Sequence, residues 1–112
     1  MEKQILNEMA TVANEKENLG YILVIHTNDH NPAHIHAYKS REDISTENYY
    51  TRILIPKNRP ETINDIETYK NDVELTNSEK KIILKWFNKV NKIFGSINYL
   101  VCKGLWNIYQ DK

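Results

Sequence analysis

Apolar side chains recur at helical spacing near the start of the chain. Ile5, Leu6, Met9, Ala10 and Ala13 fall on one face of a helix drawn over Glu2–Ala13, and Gly20 breaks the pattern. Tyr21–Thr27 is β-branched and aromatic, apolar on both faces, and predicts a well-covered strand. Asn28–Ala33 is a turn, in which Pro32 pushes Asn31 towards an extended backbone. His34–Lys39 alternates as a second strand, with Ile35 and Ala37 on one face and His34, His36 and Tyr38 on the other. Ser40–Asn48 is polar and predicts a loop. Tyr49–Ile55 predicts a third strand, stopped by Pro56. A short helix is expected over Thr62–Tyr69, with Ile63 and Ile66 inward. Thr76-x-x-Glu79 is a capping box that opens a helix with the inward stripe Ile82, Ile83, Trp86, Phe87, Val90, Ile93 and Phe94. Gly95 interrupts it. Ile97, Leu100, Val101, Leu105 and Ile108 then predict a last helix, capped by Ser96, with Trp106 and Tyr109 turned away from its buried face.

The fold these elements predict is α+β: a small antiparallel sheet of about three strands, covered by N-terminal and C-terminal helices. No repeat or linker splits residues 1–112, so one domain is expected, with residues 1–19 as an additional N-terminal helix on a core of residues 20–112.

Composition narrows the class. The chain has 112 residues and 40% hydrophobic positions, enough for a core. Its longest apolar run, Tyr21–Ile25, is far below the ~20 residues of a membrane span. Cys102 stands alone, so no internal disulfide forms, and it reads as a small buried hydrophobe. No apolar leader is visible, and a cytoplasmic location is expected. Formal net charge is zero, but residues 1–79 hold 14 acidic and 8 basic groups, whereas residues 80–112 hold 7 lysines and one aspartate. These segments are expected to attract each other, or the basic one to face an acidic partner.

All four histidines, His26, His30, His34 and His36, fall within eleven residues. On a strand, His34 and His36 share a face roughly 6.6 Å apart at ~3.3 Å per residue. Two imidazoles so placed can converge on one divalent metal such as zinc. His30 in the turn can fold back as a third ligand, and Asp29 can serve as ligand or as the carboxylate that orients an imidazole. The same set suits metal-free acid–base work, in which one neutral imidazole accepts a proton and a charged one donates. A structural or binding surface is the remaining alternative. His26, in an apolar strand, reads as a satisfied core histidine. The histidine-triad nucleotide-binding pattern is excluded because Tyr38 stands where its third histidine belongs.

Asp29-His30-Asn31-Pro32-Ala33-His34-Ile35-His36, following an apolar strand, resembles the signature of the bacterial domain of unknown function (DUF) 4160 family, close to D-H-x-P-P-H-F-H. Lys85-Trp86 and Leu105-Trp106 match that family's two tryptophan segments loosely. Ala33 replaces the second proline and Ile35 the phenylalanine, and the stretch Ser40–Thr76 is longer than expected. The resemblance implies a component of a toxin–antitoxin or mobile-element module with a small protein partner, and it marks Asp29, His30, Pro32, His34 and His36.

Lys81, Lys85, Lys89 and Lys92 form one helical stripe, and Arg52, Lys57 and Arg59 a smaller basic set. Either can contact phosphates or simply be solvated. The combined expectation is a His-cluster site, with His30, His34, His36 and Asp29 as metal ligands or acid–base groups. A catalytic site would hydrolyse a phosphodiester in RNA: His34 or His36 is the base, the other the acid or ligand, and Arg52 or a nearby lysine stabilises charge. The other expectation is a non-enzymatic protein-binding module, an antitoxin or phage-type inhibitor of a host protein, in which the motif is structural. Metal sensing or storage is a third.

Overall fold

The structure, a computed structural model, describes residues 9–27 and 29–110. Its centre is a four-stranded antiparallel meander, β1 (Met9–Ala13), β2 (Ile22–His26), β3 (His34–Tyr38) and β4 (Thr51–Leu54), in the order β1-β2-β3-β4. A short helix α1 (Arg41–Ser45) links β3 to β4. Helix α2 (Asn77–Phe87), a two-stranded hairpin of β5 (Val90–Asn91) and β6 (Ser96–Ile97), and helix α3 (Asn98–Gln110) complete the chain. The α+β class holds, with four strands in the main sheet rather than three.

The extra strand comes from the segment expected to be helical. Met9–Ala13 pairs with β2, Met9 opposite His26 and Thr11 opposite Val24, with a bulge before Ala13. Five residues with mixed apolar periodicity fit either period, and pairing along the open edge of β2 decides the outcome. The rest of that expected helix lies outside the described residues.

The pleat sorts the sheet into two faces. Leu23, Ile25, Ile35, Ala37 and Ile53 form the core with Ile83, Trp86 and Phe87 of α2 and Tyr99, Val101, Cys102 and Trp106 of α3. The other face carries Ile22, Val24 and Tyr38, packed against Met9, Ile44 and Tyr49. Residues expected to form a loop after Ser40 supply α1, because the Ser40 hydroxyl caps it by accepting the Asp43 N–H. Between Thr62 and Ile66 the expected helix is a single 3₁₀ turn, Ile63–Asp65, with Ile66 buried.

Helix α2 begins at its capping box, Thr76 and Glu79 accepting each other's backbone N–H groups. Glu79 also accepts the Tyr21 hydroxyl, which ties the helix to the sheet. It ends earlier than expected. The Asn88 amide bonds the Leu84 and Pro60 carbonyls, and the chain turns into the hairpin, where Gly95 takes φ 77°. Val90, Ile93 and Phe94 are therefore exposed, Phe94 by 59%, and are not core. The face of α3 also differs from expectation. Buried Asn98 donates to the Trp86 carbonyl and accepts from Asn91, which fixes the rotation of the helix. Trp106 turns inward at 5% exposure, while Leu100 and Ile108 face out. Cys102 is buried, as expected, and burial pushes its thiol up. No described helix is long and apolar enough to cross a membrane.

Candidate metal centre

The site stands where the β2–β3 loop runs into β3. Asp29 lies in the loop, the Asn31–Pro32 peptide is cis, and β3 starts at His34. Because side chains alternate along a strand, His34 and His36 share a face, with ring centroids 5.2 Å apart. The loop brings Asp29 onto them: its Oδ2 is 3.2 Å from His34 Nε2 and 3.7 Å from His36 Nδ1. One donor atom from each of Asp29, His34 and His36 lies within 4.8 Å of the other two.

Burial makes this geometry demanding. His34 is fully buried and His36 is 9% exposed. Asp29 Oδ2, His34 Nε2 and His36 Nδ1 are all shielded from solvent, and despite their closeness none has an aligned hydrogen-bond partner. His34 Nδ1–H donates to the Pro32 carbonyl at 2.7 Å, which orients the ring with Nε2 towards the carboxylate. Three polar side-chain atoms thus face one another in a dry site, an arrangement that costs free energy unless a proton or a cation sits among them.

Protonation states follow the same surroundings. Burial pushes the His36 imidazole down to about 4, helped by neighbouring His26 and opposed by Asp29, so it is neutral at physiological pH. Burial also lowers His26. For Asp29, burial acts to raise the carboxyl, but the neighbouring imidazoles of His34, His36 and His26 outweigh it and hold the group below its usual range.

The other residues expected at the site divide. His26, read as a core histidine, borders the cluster: its ring meets His36 edge-on at 4.5 Å and its Nε2 shares a hydrogen bond with the Tyr38 hydroxyl at 2.9 Å. His30 is exposed and stands apart from the converging atoms, sharing a hydrogen bond with the Tyr69 hydroxyl at 3.2 Å. Arg52 lies opposite His36 across β3 and β4, but Asp72 holds its guanidinium at 2.9 and 3.0 Å and Tyr69 stacks on it at 3.9 Å. Lys57 and Arg59 lie elsewhere, on the loop after β4, and Lys81, Lys85, Lys89 and Lys92 are exposed, the last two beyond the end of α2.

Three contributors carry no local signal in the sequence. Trp106 and Tyr69 pack on the His34 ring at 5.2 and 5.1 Å, and the Gln110 amide donates to the Asp29 carbonyl at 2.6 Å. An open cleft of about 640 Å³ leads to the cluster, lined by Asp29, His36, His26, Tyr38, Glu47 and Tyr49 among others. A second cleft of about 640 Å³ runs past Pro32, Lys57 and Glu61 and has no histidine in its lining.

Compared with protein families, curated proteins and solved structures, the chain shows no significant match. The likeness to the DUF 4160 signature rests on the motif itself.

Proposed function

We propose that the chain binds one divalent transition-metal ion through Asp29, His34 and His36 and uses it for hydrolysis, as a component of a bacterial toxin–antitoxin or mobile-element module. One observation carries the metal reading: three buried donor atoms from an N₂O ligand set converge with no hydrogen-bond partner. Two imidazoles and a carboxylate suit zinc and its neighbours. Metal bonds of ~2.0–2.1 Å in a tetrahedron place ligand atoms roughly 3.3 Å apart; the 3.2 and 3.7 Å separations from Asp29 fit that edge.

Three protein ligands leave a further position, and the lining of the cleft by Asp29 and His36 supports its opening there. Bound there, a metal supplies a Lewis acid and lowers the pKa of water at its open position. The chain's own groups have separate tasks. The Pro32 carbonyl orients His34 by accepting its Nδ1 proton. Asp29 supplies the negative charge that favours a cation. His26 and Tyr38, hydrogen-bonded to each other, provide a polar wall beside the reaction position. The module context is carried by the motif resemblance.

A specific feature favours a second reading, a protein-binding module: the hairpin presents Val90, Ile93 and Phe94 to solvent, Ile93 at 89% exposure. Metal analysis together with induced expression separates the two. Wild type should carry one metal per chain and arrest bacterial growth, and His34→Ala/His36→Ala at matched protein level should do neither. A metal-free wild type, or equal arrest by both, sinks the hydrolytic reading.

A further inference from the structure

We propose that the cleft beside Asp29 and His36 takes a cationic, peptide-like substrate and not a nucleic acid. The proposal rests on the metal-centre reading above and adds the substrate class. A phosphodiester backbone is bound by lysine and arginine that neutralise its charge. None of the described residues lining this cleft is a lysine or an arginine. The Arg52 guanidinium, which lies over the Tyr49 ring at 5.1 Å, is held by both oxygens of Asp72 and covered by Tyr69 at 3.9 Å. Arg59, Lys81 and Lys85 line a separate cleft of about 520 Å³.

What does line the metal-side cleft has the opposite preference. Glu47 is exposed at its edge and forms no ion pair among the described residues. Tyr38 and Tyr49 give aromatic walls, and Met9 and Ile44 apolar surface. Aromatic faces would stack a nucleobase as readily as they attract an ammonium or guanidinium. The absence of lysine and arginine among the described lining residues and the exposed carboxylate of Glu47 therefore decide between the two. A lysyl or arginyl peptide meets all three features: its charge pairs with Glu47, its stem packs on the aromatic and apolar walls, and its carbonyl reaches the metal position. Hydrolysis there adds water across the amide bond, the hydroxyl going to the carbonyl carbon and the proton to the departing amine nitrogen.

Cobalt(II)-loaded protein tests this through the visible spectrum of the ion. The probes are N-acetyl-lysine hydroxamate, N-acetyl-glutamate hydroxamate and a single-stranded RNA oligonucleotide. The lysine probe should bind about tenfold tighter than the glutamate probe, and Glu47→Gln should bring the two to within about threefold with the cobalt spectrum of the unliganded protein unchanged. RNA should leave the spectrum unmoved. A loaded protein that binds neither hydroxamate, prefers the glutamate probe, keeps its preference in Glu47→Gln, or responds to RNA overturns the substrate class and leaves the metal centre standing. A chain that takes up no cobalt overturns the metal centre, and this proposal with it.

Discussion

At the scale of single residues, His30 and Asp29 are adjacent in sequence and opposite in consequence. Both were candidates for ligation beside His34 and His36. Only Asp29 reaches them, at 3.2 and 3.7 Å, while the imidazole of His30 is taken up by Tyr69 in an exposed position. Removing a true ligand leaves the cation with two donors and one more water, whereas removing His30 changes no coordinating atom. Asp29→Ala should therefore weaken zinc or cobalt binding by about 100-fold or more, and His30→Ala should stay within about threefold of wild type. Competition against a chelator of known affinity reads both. A loss in His30→Ala equal to that in Asp29→Ala would make the ligand set Asp29, His30, His34 and His36 in place of the three-residue set.

Among the elements, β4 depends on a strap that no periodicity announces. Residues 67–69 pair along its outer edge, with Leu54 N–H donating to the Glu67 carbonyl and Tyr69 N–H to the Arg52 carbonyl, both at 2.8 Å. Covering an edge in this way satisfies backbone groups and blocks pairing with another chain. Asp72 locks the strap by accepting from both the backbone and the guanidinium of Arg52. The Arg52 hydrogen bond holds the Asp72 carboxyl below its ordinary 3.8, against the opposing effect of burial. A carboxyl with a depressed folded value stabilises fully above its unfolded value and loses that contribution as pH falls through the folded one. Asp72→Asn should thus cost about 1–3 kcal/mol at neutral pH, a difference that starts to shrink as pH falls through 3.8 and vanishes only below the depressed folded value, where the two unfolding curves merge. Urea titrations across a pH series measure this; a cost that persists undiminished in acid would mean that the side-chain amide itself disrupts the strap. The strap also marks where the sequence stops being legible. Strands β2 to β4 and the Thr76–Glu79 box were readable because alternation and capping are local. So was the shared face of His34 and His36, which needs only a period of two. The strand at Met9–Ala13 was not, since its state is decided by an edge of β2. Nor were Tyr69, Trp106 and Gln110, the last of which meets Asp29 from 81 positions away.

At the scale of the whole molecule, charge and metal bear on the fold differently. The attraction expected between the acidic segment 1–79 and the basic segment 80–112 forms no ion pair among the described residues. The two arginine pairs, Arg41–Glu15 and Arg52–Asp72, lie within the first segment. Lys81, Lys85, Lys89 and Lys92 are exposed, so added salt should change stability little. The Asp29 loop has the larger leverage. It meets β3 through His34 and His36, the C-terminal end of α3 through Gln110 and, through neighbouring His30, the strap through Tyr69. A cation at the cluster joins that loop to the central sheet, and it binds only when loop and strand are both folded, because the unfolded chain holds the three donors at no fixed geometry. Its stabilisation follows from mass action: free metal at 100 times its dissociation constant adds about 2.7 kcal/mol. For a domain of this size that is a rise in Tm of roughly 10 °C. Thermal unfolding followed by circular dichroism should show this rise with zinc or cobalt, its reversal by a chelator, and its absence in Asp29→Ala/His36→Ala. A double variant that gains as much as wild type would place the stabilising ion elsewhere on the chain, and a proton, not a metal, would then join the converging atoms of Asp29, His34 and His36.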